Sequence, residues 1–364
     1  MVVSSLVRRG MELASDMPLN SKDPEVPSIH LSGWLAGLFV FSVLAFVFVI
    51  FSIEYTYGMV VLTLAAIEET DPDIYVRIDT DFDPNKPTNP AEPEAAILRP
   101  KPITSKLRTT IKHLRARAGF WSRFRGFGAF MTYSLIQCFL YAILPVAITN
   151  FAAQFLARIV VGMALANLEL TWVHIVISEP SSKRFYQRIP GYKSWFNIAP
   201  VIAFEQCVVC AAFYIPLLIA GATGALDSLA VDPNGDLPSV EIVRRVAAAT
   251  AIPSLLAGLV AIPVRAITIR VAASMLPEED EAIIPFDRSF GGKVVPAILG
   301  GSGKLSIKDA WTTFDGPARI RYLKVFGKAF VMEFAAMIFF ALVLGGQVYA
   351  GALTYGARRI EHSA

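Results

Sequence analysis

The fold is decided by LFVFSVLAFVFVIF, residues 38–51, at the centre of a stretch from Leu31 to Ala66 in which Glu54 is the only formal charge. An apolar run of about 20 residues, rising 1.5 Å per residue, crosses a hydrocarbon core of about 30 Å. Inside a bilayer the run must be helical, because only helices and closed barrels satisfy their own backbone groups. The alternation of a barrel strand is absent. The stretch therefore predicts a transmembrane helix.

The rest of the chain repeats this pattern. Of 364 residues, 54% are hydrophobic and 17% are charged, against about 45–50% and 25% in soluble domains. The predicted spans are 32–66, 127–152, 155–178, 195–226, 246–275 and 325–354. They leave a polar tail at 1–31, long loops at 67–125 and 276–324, and a tail at 355–364. We therefore predict an all-α integral membrane protein with six transmembrane helices, embedded in a lipid bilayer.

The loop 67–125 divides into two halves of opposite charge. Its first half, Glu69–Leu98, is acidic and rich in proline, whereas Arg99–Arg125 has nine Lys or Arg and no acid. With six spans, the long basic loops share one side and both termini share the other. Basic loops mark the non-translocated side, which fits a mitochondrial membrane, the endoplasmic reticulum or the plasma membrane equally well.

A basic amphipathic helix is predicted within the second half of this loop, over Thr104–Arg117. Leu107, Ile111 and Leu114 recur at helical spacing, and the cations around them are Lys106, Arg108, Lys112 and Arg115. Such a helix can lie on anionic lipid headgroups, or it can be a solvated connector. Nucleic-acid binding is not predicted, because the patch is short and the net charge of the chain is only +3.

Ionisable residues inside the spans are the candidates for a transport cavity. Each costs about 2.5–3.5 kcal/mol to insert, so it should face the bundle interior, a partner or water. The cavity candidates are Glu54, Glu169, His174, Glu205, Arg265 and Glu333. Arg265 and Glu333 lie nearest to mid-span, whereas Glu205 and Arg270 lie close to a basic loop, where Arg270 can snorkel to the interface. The alternatives are a structural salt bridge for opposed charges and a hydrogen-bonded structural role for His174.

Two further features have both structural and functional interpretations. Pro253 and Pro263 interrupt the fifth span, which either kinks it or frees carbonyls for a binding site. Cys207 and Cys210 lie three residues apart without a second ligand pair, so apolar packing is favoured over metal binding. No P-loop, nucleophile elbow, zinc-protease helix or dinucleotide fingerprint occurs. The sequence thus predicts no enzymatic activity, no metal and no cofactor.

Landmarks recur along the chain in a threefold rhythm. Pro72, Pro180 and Pro277, each beside an acid, follow the odd spans, and a glycine with nearby aromatics, as in Gly119–Gly126, precedes each even span. This layout resembles the mitochondrial carrier family, which implies three helix-hairpin repeats around a solute cavity. That family carries Pro-x-acid-x-x-base after each odd helix. Here Pro72 keeps only a base, Pro277 keeps only an acid, and Pro180 keeps neither. The chain also looks similar to multi-pass fungal membrane proteins of unassigned function.

Two functions follow as hypotheses. The first is a carrier-like transporter that moves a small solute through a central polar cavity lined by the ionisable candidates. The second is a non-transporting adaptor that engages a protein partner or lipid through the loop 67–125, because carriers without the signature act as adaptors or shape factors.

Overall fold

The structure is a computed structural model that describes residues 33–69, 102–148, 150–223, 239–295 and 300–363. The predicted N-terminal tail, most of the acidic proline-rich half-loop and the landmark around Pro72 lie outside these residues. In the described part, the helices are α1 (Gly33–Ile67), α2 (Leu107–Ala118), α3 (Phe127–Ala147), α4 (Phe151–Ile177), α5 (Tyr192–Ala222), α6 (Ser239–Ser274), α7 (Ile307–Thr312) and α8 (Gly316–Ser363).

Six of these helices are long and apolar enough to cross a membrane: α1, α3, α4, α5, α6 and α8. The predicted six-span, all-α fold is confirmed. The fifth span is one continuous helix, because α6 runs through Pro253 and Pro263 without a break, which agrees with the interpretation of these prolines as tolerated kink positions. A transmembrane helix tolerates proline when neighbouring helices support the backbone around it. Beside Pro263, the Tyr322 hydroxyl of α8 donates a hydrogen bond to the carbonyl of Ile262 at 3.2 Å.

The spanning helices form two packed groups. The helices α3, α4, α5 and α6 pack each against the next, while α1 runs antiparallel to α8. Between α1 and α8, the rings of Phe46 and Phe340 lie 5.2 Å apart, and Gln347 donates to the Ser42 hydroxyl at 2.7 Å. The first span therefore packs along its length against the sixth, so the last span of the chain lies beside the first.

The bundle has a lipid-facing zone at one end and a compact core at the basic end. On α1, Phe41 and Phe48 are about two-thirds exposed, whereas Leu64 is fully buried. The exposed part, Gly33–Ile53, is 21 residues long and measures about 31 Å, which matches a hydrocarbon core. The helix then passes through π-helical turns at Glu54–Val61 and enters the core. The spanning helices thus extend beyond the bilayer on the basic side.

Arg270 organises the basic-side core. Its guanidinium donates to the carbonyls of Ala310, Ala66 and Thr313 and to the Thr313 hydroxyl, at 2.9–3.1 Å. It also lies against the rings of Phe290 and Phe314, at 4.8 and 5.0 Å. The snorkelling predicted for Arg270 is wrong: the residue is 6% exposed, because α6 ends inside protein and not at a water interface.

The predicted amphipathic helix is present as α2. Its apolar residues Ile111 and Leu114 are buried in the protein core, and Leu107 packs against that core. The four cations Lys106, Arg108, Lys112 and Arg115 are exposed. His113 is anchored by a 2.8 Å hydrogen bond between its Nε2 and the Ile283 carbonyl. The apolar face of α2 is thus covered by protein, and only its basic face is available to a lipid surface or a partner.

Candidate functional site

Three ionisable residues from three different helices meet inside the bundle. Arg265 on α6 donates from one guanidinium nitrogen to Glu169 on α4, and the same nitrogen lies 3.5 Å from Oε1 of Glu205 on α5. The carboxylates are largely buried, with side chains 5% and 12% exposed. The other carboxylate oxygen of Glu205, Oε2, is buried and accepts no hydrogen bond of normal geometry among the described residues, although the Thr268 hydroxyl lies close enough to interact with this carboxylate. The ion triad therefore retains acceptor capacity at Glu205.

A polar stripe on α3 continues from the triad. Tyr133, Gln137 and Tyr141 recur every four residues, which places them on one helix face. Gln137 donates to the Tyr133 hydroxyl at 2.8 Å, and Tyr141 donates to Gln206 of α5 at 3.3 Å. The Tyr133 hydroxyl is also within electrostatic range of Arg265. The stripe thus links the triad to a deeper level of the membrane.

Arg158 of α4 lies at the far end of this stripe. Its guanidinium carbon is 4.9 Å from the ring centre of Tyr141, and its buried Nε has no hydrogen-bond partner in the described part of the chain. Arg158 and Glu169 are eleven residues apart, which is three helical turns on one face and about 16 Å along α4. Between them, Gly162 allows close contact with α5, since a Cβ there would lie 2.8 Å from Cγ of Gln206.

These side chains form a continuous set that we name the polar track. Its members are Arg158, Tyr141, Gln206, Gln137, Tyr133, Glu205, Arg265 and Glu169. Measured along α3 from Phe127, Tyr133 lies about 9 Å and Tyr141 about 21 Å into a helix of about 31 Å. The Tyr133–Tyr141 part of the polar track therefore lies in the middle third of a membrane-spanning helix, where polar side chains are costly and point to a function.

The remaining cavity candidates lie elsewhere. His174 is buried in the basic-side core, where its Nε2 is 2.9 Å from the Ala272 carbonyl. Glu54 is exposed on α1, and Glu333 on α8 lies close enough to interact with it electrostatically. Three of the six predicted cavity residues therefore meet in the polar track, while the other three occupy two separate places.

Sequence reasoning missed five members of the polar track. Arg158 is an ionisable residue inside the predicted third span, so the cost of inserting a charge into a bilayer is the signal that identifies it. Tyr133, Gln137 and Tyr141 carry a readable signal, because polar residues every four positions in an apolar helix mark its interior face. Gln206 has no such signal: its role follows from its position opposite Gly162, which only the packing of α4 against α5 creates.

Comparison with known proteins gives no relative. No family model, no curated protein and no solved structure matches the chain. The chain is an integral membrane protein by its six apolar helices, and the role of the polar track follows from the chemistry of its own side chains.

Proposed function

We propose that this protein is a transporter whose small polar solute moves along the polar track between α3, α4, α5 and α6. The observation that carries the proposal is the line of interacting polar side chains through the middle of an otherwise apolar bundle. Transport of a small solute is also what the resemblance to mitochondrial carriers implies.

The charges on the polar track favour a neutral or zwitterionic solute. Two cations, Arg158 and Arg265, are matched by two acids, Glu169 and Glu205, so the path does not favour ions of one sign. The Gln and Tyr side chains can exchange their mutual hydrogen bonds for bonds to a solute. Glu205 Oε2 and Arg158 Nε are buried and form no hydrogen bond of normal geometry among the described residues. A solute donor could bind Glu205 Oε2, and a solute acceptor could bind the Nε–H of Arg158.

Movement along the path requires the triad to open. Arg265 is bound by both carboxylates and interacts electrostatically with Tyr133, so these contacts would block a solute at this point of the polar track. A solute amine could take the place of Arg265 at Glu205, or a solute carboxylate could take the place of Glu205 at Arg265. Exchange of one ion pair for another costs less than opening a bare pair in a low-dielectric interior.

The test is solute uptake by purified protein in phosphatidylcholine liposomes. Radiolabelled amino acids, sugars and small dicarboxylates are offered separately, and each is also scored by the thermal stabilisation of detergent-solubilised protein. Glu205→Gln keeps the size of the side chain and removes its charge, so uptake should fall about tenfold or more, as loss of a charged hydrogen bond predicts. Melting should stay near that of the unmodified protein.

Glu54→Gln is the matched control, since it removes an exposed acid outside the polar track. It should leave uptake unchanged. Uptake that equals protein-free liposomes for every solute, with no thermal stabilisation, would refute transport. Equal uptake by Glu205→Gln and Glu54→Gln would refute the assignment of the path.

An adaptor role is the alternative proposal. The exposed basic face of α2 supports it, because Lys106, Arg108, Lys112 and Arg115 all lie free of the core. Replacing the four by Gln should abolish co-purification with a protein partner or retention of anionic lipid. Unchanged association would remove the basis for this role, and a deletion of residues 79–93, outside the described part, tests the acidic half-loop.

A further inference from the structure

A cleft opens at the basic end of the lipid-facing zone, apart from the polar track. It has a volume of about 370 Å³ and lies between the turn Phe120–Phe124, the first turn of α3 and the segment 180–188. Ser122, Arg125, Lys183 and Arg188 are among its lining residues. None of the residues described around the cleft is acidic, so its interior suits an anion.

Two buried donors in the cleft wall lack partners. Ser122 is 2% exposed and Arg125 is 8% exposed, yet the hydroxyl of Ser122 and Nε of Arg125 have no hydrogen-bond partner in the described structure. Another nitrogen of Arg125 already donates to the carbonyls of Ile175 and Ser178 at the end of α4, so its orientation is fixed. Buried donors without acceptors are destabilising, and a ligand rich in acceptors would satisfy them.

The charged side chains around the cleft leave a net positive charge. The acids nearest to it are already engaged: Glu179 with Arg117 and Asp280 with Arg188, each at 2.8 Å. Lys183 has only a loose 3.7 Å contact to an exposed carboxylate. Arg125 forms no direct ion pair among the residues described, and Glu179 acts on it only through a longer-range electrostatic interaction. A ligand anion would therefore meet the only partly compensated charges of Arg125 and Lys183.

The amino end of α3 also points at the cleft. The helix has no side-chain cap at Gly126, whose φ of 70° suits glycine, and Phe127, Gly128 and Ala129 line the cleft. The first N–H groups of a helix have no intrahelical acceptors and carry partial positive charge. They add donors to those of Ser122 and Arg125, in the arrangement that binds phosphate in many proteins.

The cleft lies at headgroup depth. The helix α3 crosses the lipid-facing zone in 21 residues, so its first residue stands at the basic-side boundary. Trp121 and Tyr186 beside the cleft are 73% and 51% exposed, as aromatic residues at a membrane interface commonly are. A ligand with a phosphate in the cleft could extend its apolar part past these side chains into the bilayer.

We propose that this cleft binds the phosphate of an anionic membrane lipid. The Arg125 Nε–H and the Ser122 hydroxyl donate to phosphate oxygens, with Lys183 and the α3 amino end supplying further positive charge. A soluble phosphate shares this chemistry, but the exposed aromatic rim assigns the site to a lipid. The site does not depend on transport along the polar track.

The experiment measures lipid retention by native mass spectrometry on full-length protein in nanodiscs. One set contains phosphatidylcholine alone, a second adds phosphatidic acid, and a third has the lipids of the second set with inorganic phosphate in solution. The test variant is Ser122→Ala with Lys183→Gln, which spares the structural Arg125. The control is Lys193→Gln, an exposed cation outside the cleft.

Phosphatidic acid should bind saturably to the unmodified protein, and the test variant should bind it about fivefold or more weakly, as loss of two phosphate contacts predicts. The control should change affinity less than about twofold. Equal retention by test and control variants would overturn the site. Inorganic phosphate that displaces phosphatidic acid at equal concentration would overturn the lipid assignment, and comparable melting of the variants shows that neither result reflects unfolding.

Discussion

Arg270→Met removes the guanidinium at the centre of the basic-side core while keeping much of the side-chain volume. Arg270 donates four hydrogen bonds that join α6 to α1, α7 and the residue after α7. At about 1 kcal/mol per bond, the expected loss of stability is about 4 kcal/mol. For a chain of this length, about 2 °C per kcal/mol gives a fall in melting temperature of about 8 °C.

The assay is thermal unfolding of purified protein in detergent, followed by intrinsic tryptophan fluorescence. Arg270→Lys should lower the melting temperature about half as much as Arg270→Met, because one ammonium cannot reproduce a planar fork of donors. The matched control is Arg115→Met, since Arg115 is exposed and lies over a single ring, that of Phe120, at 4.9 Å. Arg115→Met should lower the melting temperature by less than about 2 °C. Equal shifts for the two methionine variants would refute a central role for Arg270.

Two further outcomes follow from local geometry. Gly162→Leu should destabilise the protein by about 1–3 kcal/mol and lower uptake, because the new side chain collides with Gln206; Gly37→Leu, with open space around it, should do neither. Burial raises the pKa of Asp287, but hydrogen bonds from the following turn and from Ser289 outweigh it and hold the pKa below its usual value. The ionised carboxylate therefore adds stability above about pH 4, which is lost as pH falls through the folded-state pKa. Asp287→Asn should flatten the dependence of melting temperature on pH between about pH 5 and pH 3. Parallel curves for the variant and the unmodified protein would contradict this.

The lipid-facing ends of the helices were predictable from sequence. The burial of their other ends in a protein core was not. Arg270 looks interfacial when the bilayer is assumed to extend over the whole apolar stretch. In the structure, α6 continues past its exposed apolar part and ends in a protein core, so the same position is an interior one. Hydropathy does not distinguish a helix surrounded by lipid from one surrounded by protein, because both environments exclude water.

The polar track also combines residues that the sequence predicts with contacts that it does not predict. The sequence identifies three members individually as charges inside apolar runs: Glu169, Glu205 and Arg265. Each charge is costly to insert into a bilayer whatever its neighbours are. The sequence does not predict that these residues contact one another, because they lie 36 and 60 positions apart along the chain. Their contact depends on how α4, α5 and α6 are rotated against one another. His174, equally conspicuous in the sequence, faces a carbonyl in the basic-side core instead.

The sequence by itself determined that six helices cross a bilayer and that their long basic loops share one side, because the length and polarity of a segment decide its solvent without reference to its neighbours. Only the tertiary structure decided which polar side chains meet, which helix ends are covered by protein, and where a cleft with unpartnered donors opens. These depend on helix rotation and on the path of the loops, which are set by packing between residues distant in the chain.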